Sequence, residues 1–290
     1  MIAVIGATGN TGRALVKELQ ALSQNPVCVV RNADKAREVL SPNANVVVAE
    51  LTDRAALEKA LQGVKSVFVV TGHNPQMAEQ QINVQHAAEN AGAEYLVRVS
   101  GGRAVVGPDV ESVVGRGHHA IEESLKKSKL KWVLLRPGLF MQNVLGAAAS
   151  VKADGKMRVL YPIPSDQRVA LTDVRDTAAL GARILIDPGK HAGKSYEFTG
   201  LTTTHAQFAD ALSEVLDKKV SYVPATAAEA EATMRGRNMP DWLITHLLSV
   251  GKTAATGGFD NENTQPVRDI VGRAPITTRQ FGQDYKGAFS

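Results

Sequence analysis

The stretch that decides the fold lies at the start of the chain and reads Ile2-Ala-Val-Ile-Gly-Ala-Thr-Gly-Asn-Thr-Gly12. Residues 2–5 form an apolar run typical of a buried strand, and Gly6, Gly9 and Gly12 follow at three-residue spacing. Leucines at helical spacing come next, so the glycines lie between a strand and a helix. Such a turn lets the backbone approach a diphosphate, while free amides and the helix dipole attract its charge. We therefore expect an anion-binding turn of the kind that holds a dinucleotide.

Further apolar runs of strand type recur along the first half of the chain, separated by helical patterns. After residues 2–5, strands are expected at Val27–Val30, Val46–Ala49, Ser66–Val70, Tyr95–Ser100 and Trp132–Leu135. Helical patterns between the later strands cover about residues 33–41, 53–62, 75–92 and 111–128. Apolar strands that alternate with helices indicate a parallel sheet covered on both faces. The prediction is an α/β fold with a Rossmann-like, doubly wound parallel sheet of six strands.

The regular alternation ends after Pro137, and this change predicts a second lobe. A strand-helix unit near residues 169–186 is expected to add to the first domain, and Lys194–Phe198 is expected as a further strand. The remainder is mostly helical in pattern. We therefore predict a nucleotide-binding domain over residues 1–152 and a smaller, mostly helical substrate lobe over residues 153–290 that covers the ligand edge of the sheet.

Composition and charge exclude several classes of protein. The chain has 290 residues, 44% hydrophobic and 21% charged, and a net charge of +4, as in ordinary globular proteins. The lysines of residues 126–131 fall at a helix end, which cations favour, so nucleic-acid binding is not expected. No apolar run approaches the ~20 residues of a membrane span, and no secretory signal is recognised. The single Cys28 cannot form an internal disulfide, and a cytoplasmic protein is expected.

The residue after the second expected strand indicates which dinucleotide the turn would hold. An acidic residue there marks NAD, whereas an arginine accommodates the 2′-phosphate of NADP. Arg31 occupies this place, and a guanidinium can hold a phosphate with two parallel hydrogen bonds. Lys35 would add a second positive charge, while Asp34 could instead turn towards a ribose. The sequence thus favours NADP(H) over NAD(H), with an ordinary solvated Arg31 as the alternative.

Several longer motifs resemble those of one known family. They are Gly6-Ala-Thr-Gly-Asn-Thr-Gly12, Val30-Arg-Asn, Leu57-x-x-Ala-Leu-x-Gly63, Ser100-Gly, His118-x-x-x-Glu122, Leu135-Arg-Pro-Gly-Leu-Phe-Met-Gln-Asn143, Leu171-Thr-Asp-Val-Arg-Asp176 and Gly272-Arg-x-Pro. In these motifs, which extend over nearly the whole chain, the sequence resembles the NmrA-like family of atypical short-chain dehydrogenases/reductases. That family includes NADPH-dependent quinone and dye reductases, reductases of specialised metabolism, and non-catalytic proteins that sense NADP and bind transcription regulators.

The resemblance also shows a departure from the usual catalytic residues. Short-chain dehydrogenases use a tyrosine and a lysine four residues apart, and Val114 and His118 correspond to these places. Ketone reduction suffers without a positioned proton donor, whereas a quinone or conjugated cation accepts hydride into a delocalised system. We therefore expect His118 as the catalytic residue, oriented by Glu122 one turn later, either donating from neutral imidazole or supplying a proton. An ordinary histidine-glutamate pair on a helix surface is the alternative.

Residues just after each strand are the candidate ligand contacts, because ligands of such sheets lie at the carboxyl ends of the strands. The expected cofactor-binding residues are Gly6, Thr8, Gly9, Asn10, Thr11, Gly12, Arg31, Lys35, Thr71, Gly72, His73, Ser100, Pro137 and Phe140. The expected substrate-binding residues are Phe140, Asn143, Tyr161 and Trp242. For Phe140 core packing is the alternative, and for His73 it is simple loop solvation. The seven histidines lack zinc-ligand spacing, so no metal is expected.

These observations predict an NADPH-dependent oxidoreductase that passes hydride to a quinone-like or other conjugated small molecule. A non-catalytic NADP(H)-sensing protein with a protein partner is the alternative from a different class. A pathway reductase acting on a specific aromatic metabolite is a third possibility. The sequence is compatible with a homodimer.

Overall fold

The computed structural model describes all 290 residues. Its strands are β1 (Ile2–Ile5), β2 (Val27–Val30), β3 (Val46–Val48), β4 (Ser66–Val69), β5 (Tyr95–Val99), β6 (Lys131–Pro137), β7 (Leu139–Phe140), β8 (Lys156–Met157), β9 (Val169–Thr172), β10 (Lys194–Phe198), β11 (Thr202–Thr203) and β12 (Ser221–Tyr222). Its helices are α1 (Asn10–Ala21), α2 (Ala33–Val39), α3 (Arg54–Ala60), α4 (Met77–Asn90), α5 (Val113–Lys126), α6 (Ala148–Asp154), α7 (Val174–Ile186), α8 (His205–Leu216), α9 (Ala227–Gly236), α10 (Asp241–Ala255), α11 (Thr278–Asp284) and α12 (Lys286–Phe289).

The central sheet has seven strands in the order β10-β6-β5-β4-β1-β2-β3, and every neighbouring pair is parallel. Successive side chains of a strand point to opposite faces, so each face receives its own core. Val4 and Phe68 pack on one face against Leu15 of α1. Ile5 packs on the other face against Leu57 of α3. The predicted α/β, Rossmann-like parallel sheet with helices on both faces is confirmed, with one more strand than the six expected.

The seventh strand comes from the second half of the chain. β10 pairs with β6 in the central sheet. β9 and α7 form the strand-helix unit expected to add to the first domain, and β9 pairs with β7 and β11 in a separate three-stranded sheet. Gly138 permits this arrangement, because a Cβ there would lie 2.6 Å from the Ala170 carbonyl oxygen of β9. Only the helix of the expected unit adds to the central layers, where α7 packs against α1.

The last third of the chain packs with residues 141–171 around a separate apolar cluster. Phe208 of α8 meets Phe281 of α11 edge to face, with ring centroids 5.5 Å apart. α10 packs on α9, on α5 and on the 3₁₀ turn at Arg103–Val105. α10 therefore borders the carboxyl ends of the central strands. None of the helices is long and apolar enough to span a bilayer, and the division into lobes at residue 152 stays a prediction.

Candidate active site

The glycine turn after β1 is tightly packed at two positions and open at the third. Gly6 has a φ of +82°, and a Cβ there would lie 1.7 Å from the Val70 carbonyl oxygen. A Cβ on Gly12 would lie 2.1 Å from the Gly6 carbonyl oxygen. A Cβ on Gly9 would meet only the Gly6 carbonyl oxygen, at 3.5 Å, which is an ordinary van der Waals contact. Fold geometry therefore requires Gly6 and Gly12, whereas Gly9 leaves room beside the turn.

The start of α1 follows this turn without a side-chain cap. Gly9 is the N-cap residue, and no side chain accepts from the first-turn amides. Unpaired amides at a helix start attract anions, in the direction of the helix dipole. Thr8 and Asn10 are exposed, while Thr11 is buried. Asn10 Oδ1 accepts a 2.9 Å hydrogen bond from Arg13. These residues fit a diphosphate, because the turn offers donors and space together.

The side chains after β2 leave Arg31 uncommitted. Arg31 is exposed and makes no side-chain hydrogen bond or ion pair within the protein. Asp34 pairs with Arg37 at 3.5 Å, and its carboxylate remains almost wholly exposed. Asn32 caps α2 by accepting from the Lys35 amide at 2.9 Å, and the Lys35 side chain remains exposed. The loop thus presents two free cations at the carboxyl edge of the sheet, as a 2′-phosphate site requires.

Three histidines from different parts of the chain meet at this edge. His73 follows β4, His118 lies on α5 and His246 lies on α10. The His73 ring stands edge-on to both others, with centroids 5.5 Å from His118 and 5.0 Å from His246. His246 Nδ1 lies 2.8 Å from Ser112 Oγ. No group of His, Cys, Asp or Glu side chains is arranged to hold a metal ion.

The proton on His118 is placed by Arg98 of β5. Arg98 Nη2 lies 2.7 Å from His118 Nδ1, and a guanidinium has only donors. Nδ1 must therefore accept, and the ring hydrogen lies on Nε2. Nε2 makes no hydrogen bond within the protein and remains accessible. A Cβ on Gly101 would lie 3.8 Å from Nε2, so the glycine keeps this donor uncovered.

The electrostatics around His118 bear on two sequence-based expectations. Burial and the Arg98 charge hold the pKa of His118 well below its ordinary value, which favours the neutral donor over the protonated imidazole among the two expected roles. Glu122 does not orient His118, because Glu122 accepts a 2.6 Å hydrogen bond from Ser100 Oγ and pairs with Arg136. His118 is a neutral hydrogen-bond donor positioned by a cation.

Arg98 also connects His118 to the loop after β4. Arg98 Nε donates to Gln81 Oε1 at 2.7 Å, and Gln81 Nε2 donates to Thr71 Oγ1 at 2.7 Å. The Thr71 hydroxyl oxygen thus accepts from inside the protein, which leaves its hydrogen free to donate outward. Thr71 is half-buried, and the neighbouring Gly72 and His73 are exposed.

The residues after β6 divide between packing and exposure. Pro137 is buried at the end of β6 and lines a small cavity of about 140 Å³ beyond β5, β6 and β10. Phe140 is half-buried and packs on the core of the central sheet. Asn143 is exposed and interacts with Tyr161; burial raises the pKa of Tyr161 to about 12, and Asn143 offsets part of the rise. The structure therefore brings Asn143 and Tyr161 together.

Trp242 lies on α10 and packs against Met77, Val114 and Ile121, which anchors α10 to α4 and α5. A cleft of about 780 Å³ lies elsewhere, between α9, α10 and the loop at 162–165. It contains none of the expected site residues, and we place the chemistry at the carboxyl edge because the glycine turn and histidines meet there.

A model of the NmrA-like family matches residues 1–267. The chain belongs to the NmrA-like family. This NmrA-like chain is 30% identical over 293 residues to an NAD(P)H azoreductase of Xenophilus azovorans, covering 100% of this chain and 99% of that relative. It is 31% identical over 283 residues to quinone oxidoreductase 2 of Escherichia coli, with 96% of each covered. The structure of NADPH-dependent quinone oxidoreductase QOR2 of Escherichia coli, complexed with NADPH, matches with a TM-score of 0.85 and 28% identity, over 99% of this chain and 100% of that one.

Sequence reasoning missed four residues of this NmrA-like site, namely Gln81, Arg98, Ser112 and His246. Arg98 carried a signal, because it is the one charge within the apolar strand Tyr95–Val99. His246 carried none, since its place beside His73 depends on how α10 packs.

Proposed function

We propose that this chain is an NAD(P)H-dependent oxidoreductase that passes hydride from NADPH to a quinone-like or other conjugated acceptor. The observation that carries the proposal is the neutral His118, whose Nε2 donor remains accessible at the sheet edge that also holds the open glycine turn. The activities for which the azoreductase and quinone oxidoreductase 2 are named support the same chemistry.

The chain's own residues would bind the cofactor along this edge. The first-turn amides of α1 would receive the diphosphate beside Gly9, and Arg31 with Lys35 would hold the 2′-phosphate. Thr71 and His118 would donate to oxygen atoms of the nicotinamide end or of the acceptor. When bound, the reduced cofactor supplies a hydride, that is, one hydrogen with two electrons.

The acceptor would lie between the His118 side of the edge and the half of the chain that carries α10, with Asn143 and Tyr161 as the proposed polar contacts. No tyrosine or lysine occupies the usual catalytic places, and the His118 imidazole stays neutral. Catalysis would therefore rest on proximity and orientation, with the final proton taken from solvent. An acceptor that delocalises the incoming charge suits this arrangement.

The test is to mix the protein with NADPH and a panel of quinones and azo compounds, and to follow the loss of NADPH absorbance. Steady turnover with any acceptor supports the proposal and rejects a purely sensing protein. Absence of turnover, together with tight binding of both NADP⁺ and NADPH by calorimetry, would replace it with an NADP(H)-sensing role. A Kd for NADPH at least tenfold below that for NADH is expected from the free Arg31 and Lys35.

A further inference from the structure

Arg98 is a buried cation without a carboxylate partner. Its side chain is 0% exposed at the centre of the sheet, and its Nη1 makes no hydrogen bond in the protein. Burial lowers the pKa of Arg98 to about 9, although Glu122 partly opposes this and Arg136 adds to it. Glu122 itself is already held by Arg136 and Ser100.

A structural role alone gives a poor account of this residue. Removing a charge from water is costly unless a counter-ion and hydrogen bonds compensate, and an apolar residue would fill a central strand at less cost. Positions where a fold keeps such a group against local preference are commonly functional. The two groups that Arg98 contacts at 2.7 Å, Gln81 and His118, both lead to the carboxyl edge of the sheet.

The direction of these hydrogen bonds determines which donor groups the carboxyl edge of the sheet presents to a ligand. Arg98 can only donate, so it turns the Gln81 amide nitrogen towards Thr71 and leaves the His118 hydrogen on Nε2. Thr71 O–H and His118 Nε2–H therefore both act as donors at the surface, and the charge of Arg98, only partly offset by Glu122, lies behind them. Such a group of donors in a low-dielectric surrounding stabilises negative charge that develops on an oxygen.

We propose that Arg98 is a positioning residue that selects the acceptor class: neutral acceptors with a carbonyl oxygen, quinones above all, are reduced in preference to cationic dyes. The inference rests on the proposed reductase function and names its substrate class. Hydride adds with its electron pair to a neutral quinone, one carbonyl becomes an oxyanion that receives the His118 hydrogen bond, and a solvent proton completes the hydroquinone. A cationic triarylmethane dye instead loses its charge on hydride addition and forms no oxyanion. Its ground state is repelled by Arg98.

The kinetic test compares a neutral naphthoquinone with a cationic triarylmethane dye in wild type, Arg98→Met and Arg98→Lys. Wild type should have the higher kcat/KM for the quinone. Arg98→Met should lower quinone kcat by up to about 10²-fold, the loss that follows removal of one oxyanion donor, because His118 is then no longer held as an Nε2 donor; the dye should be unchanged or faster. Arg98→Lys keeps the charge but lacks the two-point donation to Gln81 and His118, so its quinone kcat should lie between those of wild type and Arg98→Met. Equal losses for both acceptors, or a wild-type preference for the dye, would overturn the inference.

A spectroscopic test does not depend on turnover. Nitrogen NMR of His118 should show a single neutral tautomer with hydrogen on Nε2 in wild type, and a mixture of tautomers in Arg98→Met. If that variant fails to fold, His118→Phe keeps Arg98 in place and should lower quinone kcat by the same order while sparing the dye. A wild-type ring with its hydrogen on Nδ1 overturns the inference.

Binding separates this inference from the proposed function. Wild type with NADP⁺ should bind 4-nitrophenolate, a stable aryl oxide anion, at least tenfold more tightly than neutral 4-nitroaniline of similar shape. If the protein prefers the anion but turns over no acceptor, the donor site is supported and the proposed reductase function is rejected. If it turns over acceptors but does not prefer the anion, the reductase function is supported and the role proposed for Arg98 is rejected.

Discussion

The Arg136 guanidinium holds the Glu122 carboxylate inside the protein, with 3.1 Å between Nε and Oε1. Glu122 lies on α5 and Arg136 on β6, and the same carboxylate accepts from Ser100 at 2.6 Å. Burial alone would raise the pKa of Glu122, but the hydrogen bonds from Arg136 and Ser100 outweigh it and hold the pKa below its ordinary value. The contact thus fixes α5, which carries His118, to the ends of β5 and β6.

Glu122→Gln should lower the free energy of unfolding by about 3–5 kcal/mol, because it removes the buried counter-ion of Arg136 and leaves only Glu197, which is partly exposed. Glu123→Gln is the matched control on the same helix. Glu123 pairs with Lys126 at the surface, so its loss should change stability by less than about 1 kcal/mol. Chemical denaturation measures both, and equal effects would show that the buried pair is not what fixes α5.

Gly9→Ala and Gly12→Ala should separate binding from folding in the glycine turn. Gly9 has a φ of −76° and open space, so alanine there should leave the melting temperature nearly unchanged. It should nevertheless raise the Kd for NADPH at least tenfold, since the methyl group occupies the place proposed for the diphosphate. Gly12→Ala should also lower the free energy of unfolding by about 1–3 kcal/mol through overpacking. Unchanged NADPH affinity in Gly9→Ala would move the diphosphate away from this turn.

Arg31→Ala should raise the KM for NADPH by about 10- to 100-fold, the loss expected for charge-assisted hydrogen bonds of about 1.5–3 kcal/mol. The KM for NADH should remain the same, because NADH has no 2′-phosphate. Arg37→Ala is the control, since Arg37 is occupied by Asp34. Steady-state kinetics with both cofactors decides the matter, and a parallel loss for NADPH and NADH would contradict it.

His205 should make the protein less stable in mild acid. It is buried against Tyr222, its Nδ1 has no partner, and burial lowers its pKa to about 4. The unfolded chain takes up this proton below about pH 6.5, whereas the folded chain does so only near pH 4, so stability falls as pH drops through that window. From about pH 7 to pH 5 the loss is about 2 kcal/mol. His205→Phe keeps the ring and should remove this part of the pH dependence in urea titrations; an unaltered slope would assign it to other groups.

Much of the fold could be predicted because it follows from local pattern. The six apolar runs and the glycine turn each specify a strand or a bend within a few residues. β10, the seventh strand, could be predicted as a strand, but its position in the sheet could not. An alternating or apolar pattern does not indicate which strand β10 pairs with. Its residues Lys194–Phe198 are exposed at one end and buried at the other, as at a sheet edge.

The candidate site was predictable only where its chemistry is local. The glycine turn and Arg31 follow from their own neighbours in sequence. The partner of His118 could not be predicted in this way, because Arg98 lies on another element and the helical spacing favoured Glu122 as the partner. In the folded chain Glu122 pairs with Arg136 instead, which leaves Arg98 to contact His118.

β10 also governs how the molecule can assemble during its synthesis. Until residues 194–198 leave the ribosome, β6 ends the sheet with an unpaired backbone edge, which is the kind of surface that recruits foreign strands. A nascent chain of this protein therefore depends on late residues, or on a chaperone that shields β6, to escape aggregation. When the gene is split before β10, each fragment expressed alone should be insoluble. The fragments should become soluble only when both are expressed together.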